Sequence, residues 1–206
     1  GFTLGDGINA MNEVAKKVLP NNFTTSLAGQ SRDFQESSSS IIFIFALSVV
    51  LIFLILAAQF ESFRDPLIIL FTVPLAVAGA LFSLWYFNQT MNVFSQIGII
   101  MLIGLVTKNG ILIVEFANQR KEAGMKKIEA VQSAAVSRLR PILMTSFAMI
   151  FGVLPIALSL GASAQSRQSL GIAVVGGLLF STLLSLYIIP ILYTYISKEK
   201  REEGGE

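Results

Sequence analysis

Residues 41–58, IIFIFALSVVLIFLILAA, form an uncharged and almost wholly apolar run. The run lies inside a gap of 24 residues, between Glu36 and Glu61, that holds no charge. About 20 mostly apolar residues cross a bilayer as one helix, so this stretch reads as a transmembrane span over residues 37–60. Composition agrees with that reading. The 206 residues are 53% hydrophobic and 14% charged, with a mean hydropathy of +0.70, whereas a soluble domain carries about a quarter charged residues.

Working outward, the other charge gaps give four more spans. The 42 uncharged residues between Asp65 and Lys108 are too many for one span and are broken at Asn88-Gln89-Thr90 and Asn92. They divide into spans at 66–87 and 93–118. A gap of 26 residues between Arg140 and Arg167 and one of 30 between Arg167 and Lys198 supply spans at 141–160 and 168–196. The small, polar loop Gly161–Ser166 separates these two. The expected fold is an all-α polytopic membrane protein with five spans, and Pro74 and Pro155 are expected to kink two of them.

Five spans put the chain ends on opposite sides. With the N-terminus outside, the inner segments carry Arg64, Arg120, Lys121, Lys126, Lys127, Arg138, Arg140, Lys198, Lys200 and Arg201, while the outer ones carry Lys16, Lys17, Arg32 and Arg167. Ten against four places the C-terminus in the cytoplasm, because Lys and Arg accumulate there.

Three flanking segments complete the plan. Residues 1–36 read as a small α+β piece of a soluble module: Asp6 as N-cap, Ile8, Met11, Ala15, Val18 and Leu19 at helical spacing, a stop at Pro20, and a strand at Phe23–Leu27 ending at Gly29. One helix and one strand cannot bury a core of their own. Together with a Gly1 start and no signal-like segment, this is the expectation for a fragment or a processed product. The segment Lys126–Arg140, with Ile128, Val131, Ala135 and Leu139 spaced among Lys and Arg, reads as an amphipathic helix over about residues 124–138 on the cytoplasmic face. Residues 199–206 form a cytoplasmic tail.

With no Cys and no His, the chain lacks the residues for zinc fingers, His-ligated haem, Cys-His nucleophiles and Ser-His-Asp triads. A net charge of +2 does not suggest a nucleic-acid binder. The most informative residue is Lys108, near the middle of the third span in Gly104-Leu105-Val106-Thr107-Lys108-Asn109-Gly110. A central Lys costs about 2.5–3.5 kcal/mol on insertion scales and marks a functional site with a partner. Snorkelling does not relieve it, since Asn118 at the span's end is about 15 Å away by helical rise. Glu115, two turns on, is about 10 Å distant, and no other acid lies within any span. The carboxylate that pairs with Lys108 is therefore expected on another helix or another subunit. Thr145, two turns from Arg138 on the fourth span, either joins a polar network with Lys108 or bonds its own backbone. Gly104, Gly110, Gly171, Gly176 and Gly177 read as helix-packing positions.

Three long motifs carry a resemblance: AAQFESFRDPLIILFTVPLAVAGA (57–80), IGLVTKNGILIVEFANQRKEAG (103–124) and RLRPILMTSFAMIFGVLPIAL (138–158). In this order they resemble the C-terminal membrane half of resistance-nodulation-division (RND) exporters, closest to the hydrophobe/amphiphile multidrug efflux pumps of the Gram-negative inner membrane. The resemblance implies that the five spans correspond to the eighth to twelfth of twelve helices, and that residues 1–36 belong to a periplasmic porter subdomain. It implies a proton antiporter, not an enzyme, exporting hydrophobic or amphiphilic small molecules including drugs. A homotrimer joined to a periplasmic adaptor protein and an outer-membrane channel would do this work, without cofactor or metal. Lys108, Asn109, Thr145 and Arg138 match the family's proton-relay positions, and the acidic pair that completes the relay lies in a half this sequence does not include. The alternatives are another RND-superfamily transporter (metal ion, lipid or protein-translocation partner) or a non-transporting, sterol-sensing-like regulator.

Overall fold

The structure, a computed structural model, describes residues 4–20, 23–160 and 167–197. In chain order the helices are α1 (Leu4–Val18), α2 (Gln30–Phe60), α3 (Arg64–Leu70), α4 (Thr72–Tyr86), α5 (Val93–Glu122), α6 (Lys127–Ala157) and α7 (Gln168–Ile196). Two units are distinguished, Gly1–Ile44 and Phe45–Glu206.

In the first unit α1 starts at Leu4, so Asp6 lies in the first helical turn and not at the N-cap. A carboxylate there still faces the positive end of the helix dipole. Pro20 disfavours helical backbone at Leu19, and the helix ends at Val18. Ile8 and Ala15 are half-buried, while Met11, Val18 and Leu19 are exposed. The strand expected at Phe23–Leu27 does not form; these residues have no regular secondary structure. A strand is held by ladder hydrogen bonds to a neighbour, and the described residues contain no strand to supply one. The expected α+β character is therefore corrected to helix alone among the described residues.

Five helical segments are long and apolar enough to cross a membrane: Ile42–Phe60, Arg64–Tyr86, Val93–Glu122, Lys127–Ala157 and Gln168–Ile196. The second is broken at Phe71, between α3 and α4. Pro74 has no N–H to offer the Leu70 carbonyl, and its ring crowds that oxygen, so the break falls one turn before the proline. The Thr72 hydroxyl donates to the Ile69 carbonyl at 2.7 Å across it. Asn92, expected only as a polar interruption, is the N-cap of α5. Its Oδ1 accepts from the Ser95 N–H at 2.9 Å, and Ser95 Oγ accepts from the Asn92 N–H at 2.9 Å, a reciprocal box.

The amphipathic helix expected at 124–138 is not a separate surface element: α6 runs unbroken from Lys127 through Pro141 to Ala157. Its covered face is Ala130, Val131 and Ala134, whereas Ile128 and Leu139 are exposed. The loop Gly161–Ser166 and the tail 199–206 lie outside the described residues.

α7 packs against α3, α4, α5 and α6 and forms the axis of the bundle. Small residues let the backbones approach. A Cβ on Gly176 would overlap the Ser83 hydroxyl, and one on Gly171 would stand 2.7 Å from Ala157 Cα. Gly104 differs, since its Cβ would meet open space. Two apolar cores result. One joins Ala80, Leu102, Val106, Ile150, Val174 and Leu178, and the other joins Leu56, Ile69, Ile113, Ile142, Ile189 and Tyr193. Along α5, α6 and α7 alike, the polar residues Thr107–Asn109, Ser146 and Ser181–Thr182 fall between the two cores.

Candidate functional site

The layer between the cores has a sealed part and a half-open part. Asn109, Ser146 and Thr182, one each from α5, α6 and α7, make up the sealed part at 0, 2 and 4% exposure. The Asn109 amide donates from Nδ2 to Ser146 Oγ and to Thr182 Oγ1, both at 3.4 Å. Thr182 Oγ1 donates to Ser146 Oγ at 3.0 Å. Asn109 Oδ1 is buried and accepts no hydrogen bond among the described residues. In an apolar medium an unmet acceptor is costly, so this oxygen is a place for a water or another donor.

The half-open part is the adjoining face of α5 and α6. Arg138, Thr145 and Met149 recur at intervals of seven and four residues, which puts them on one side of α6. All three are half-buried, as is Lys108. Lys108 Nζ lies 3.9 Å from Met149 Sδ, a weak acceptor. No carboxylate pairs with Lys108 among the described residues. Glu115 instead accepts from Gln119 Nε2 at 3.1 Å, on its own helix.

Thr145 takes the self-bonded alternative, donating to the Ile142 carbonyl at 3.1 Å. Its neighbour Ser146, not Thr145, reaches Asn109. Arg138 stacks its guanidinium 4.3 Å from the centre of the Phe116 ring, and Arg120 covers the same ring at 4.9 Å. Arg138 Nε is buried with no hydrogen-bond partner among the described residues. Thus Lys108, Thr145 and Arg138 share a rim, Asn109 turns inward, and among the described residues no hydrogen bond joins Lys108 to Thr145 or Arg138.

Sequence reasoning missed Ser146 and Thr182. The available signal was weak: hydroxyls at 181, 182 and 185 interrupt an otherwise apolar run in α7.

A bundle of five apolar helices with a charged residue at mid-depth defines a multi-pass membrane protein. Over residues 1–197 the sequence matches the model of the AcrB/AcrD/AcrF family, and the chain belongs to that family. It is 42% identical over 208 residues to an uncharacterized transporter of Haemophilus influenzae, covering 98% of this chain and 20% of that protein. It is 41% identical over 197 residues to multidrug resistance protein MdtC of Proteus mirabilis, covering 95% of this chain and 19% of that protein. The chain thus spans about one fifth of the length of these curated relatives. The RND resemblance carried by the three motifs is established at the level of the family.

Proposed function

We propose that these residues form part of a proton-driven inner-membrane exporter of hydrophobic or amphiphilic compounds, in which Lys108, Asn109, Thr145 and Arg138 serve the proton path. The observation that carries this reading is Lys108: a cation at mid-span on a half-open face, with a thioether as its nearest partner. A residue so costly to insert is kept for a task.

In this reading carboxylates from outside the chain face the α5 and α6 rim. When they are ionised, Lys108 pairs with them; when they are protonated, the pair is released and the rim relaxes. Alternating between these arrangements shifts the populations of two helix packings. Arg138, held against Phe116, keeps a second cation at one end of the same face. Thr145, whose hydroxyl proton is engaged by its own helix, offers lone pairs for a proton donor. The orphaned Asn109 oxygen supplies a fixed acceptor beside Lys108 in sequence. The positive-inside bias supports a cytoplasmic C-terminus, and the likeness to a multidrug resistance protein supports drug-like substrates; a trimer, an adaptor and an outer-membrane channel follow from the RND resemblance.

The test is Lys108→Met in the complete transporter, reconstituted in vesicles with an imposed pH gradient. Expected is loss of proton-coupled export at unchanged protein level and assembly. Export at the unsubstituted rate would reject the assignment.

A further inference from the structure

A second polar site lies at the end of the bundle where α2, α5 and α7 finish and α3 begins. A cavity of about 490 Å³ opens there, and its walls include Glu61, Arg64, Asp65, Asn118, Lys121 and Glu122. It therefore presents two cations and three carboxylates to one space. Since four helix termini frame it, the cavity sits at the depth of lipid headgroups and not of acyl chains.

The walls are braced. Asp65 is 8% exposed, and Asn118 Nδ2 donates to its Oδ2 at 2.9 Å. The Tyr193 hydroxyl donates to Asn118 Oδ1 at 2.6 Å, which fixes the amide's orientation. The other Asp65 oxygen, Oδ1, accepts no hydrogen bond among the described residues. Arg64 Nη1 donates to the Ile196 carbonyl at 3.4 Å, leaving its other guanidinium donors available. Lys121 Nζ lies 3.4 Å from Ser197 Oγ on the same wall. The exposed side chain of Phe63 lines the same space, an apolar surface suited to an acyl chain.

Opposite charges on the walls select a zwitterion. An anion alone would face three carboxylates. A bare metal ion is not favoured either, since no group of three acids close enough to hold one occurs among the described residues. A phosphate can take donors from Arg64, with the Lys121 charge on the same wall, while a primary ammonium can bond Asp65 Oδ1 or one flanking glutamate. A quaternary ammonium has no N–H with which to bond these carboxylate oxygens, although Phe60 and Phe63 also line the space. We propose that this cavity is a binding site for a phospholipid with a phosphoethanolamine headgroup. It is a site separate from the Lys108 rim, and the proposal does not depend on the proton path.

The experiment is native mass spectrometry of the full protein released from nanodiscs made with phosphatidylethanolamine, phosphatidylcholine or phosphatidylglycerol of identical acyl chains. Expected is retention of phosphatidylethanolamine about tenfold above the other two, and loss of that preference in Arg64→Gln and Glu122→Gln as well as in Asp65→Asn. Using three variants separates loss of a ligand group from misfolding, because Arg64 and Glu122 are exposed. Equal retention of phosphatidylethanolamine and phosphatidylcholine, preference for phosphatidylglycerol, or a preference untouched by all three substitutions would each overturn the proposal. Displacement of the lipid by equimolar soluble phosphoethanolamine would also overturn it, by assigning the site to a free metabolite.

Discussion

Thr182 on α7 donates its hydroxyl to Ser146 on α6 at 3.0 Å, and the two share the Asn109 amide of α5 between them. Three helices are thereby joined through a handful of polar atoms at mid-depth.

Interhelical hydrogen bonds in a membrane average about 0.6 kcal/mol and reach about 1.7 kcal/mol. Thr182→Val and Ser146→Ala should each destabilise the bundle within that range. A double-mutant cycle should show coupling, because either single change removes the same bond. Reversible unfolding in bicelles measures it; strictly additive losses would show that the hydroxyls act separately.

Lys108→Met should stabilise the chain while ending its proposed activity. Removing the charge relieves α5 of about 2.5–3.5 kcal/mol on insertion scales, and Met fills a similar volume beside Met149. Insertion of α5 measured by glycosylation mapping should therefore become more efficient. Reduced insertion would mean that Lys108 has a strong partner within this chain.

Two glycines should behave oppositely. Gly171→Ala sets a methyl against the Ala157 backbone, which cannot rotate away, and overpacking of this kind costs about 1–3 kcal/mol. Gly104→Ala meets open space and removes a flexible helix position, so it should be neutral or slightly stabilising. Thermal unfolding of the two variants side by side provides the check.

Orientation can be read with thiol chemistry, since the chain has no native cysteine to remove. Thr90→Cys lies between α4 and α5, and Ala123→Cys at the opposite end of α5; both positions are exposed. In intact cells with a permeabilised outer membrane, an impermeant maleimide should label position 90 and leave 123 unlabelled. The reverse pattern would invert the topology.

Charge placement made the spans legible because a charged side chain in hydrocarbon is costly and therefore rare. Local signals misled where packing outweighed them. Residues 124–138 and 141–160 read as two helices, yet Ala134, Ile142, Ser146 and Ile150 continue one buried face of α6, so a single helix runs through Pro141. Phe23–Leu27 has strand-like residues but no partner among the described residues, and pairing is not encoded in one segment. Lys108 stood out because its cost is intrinsic to its chemistry. Ser146 and Thr182 did not, because a hydroxyl in an apolar helix usually bonds its own backbone. Thr107, Thr145, Ser181 and Ser185 all do so here, and only the folded bundle reveals which hydroxyls cross between helices.

The polar layer between two aliphatic cores also acts as an alignment mark. Sliding α6 or α7 by one turn, about 5.4 Å, would keep Leu and Ile in apolar surroundings at little loss. The same slip would leave the Asn109 amide facing aliphatic side chains such as Ile150 or Leu178. Aliphatic packing tolerates several vertical settings of these helices, and three side chains from three different helices reduce them to one.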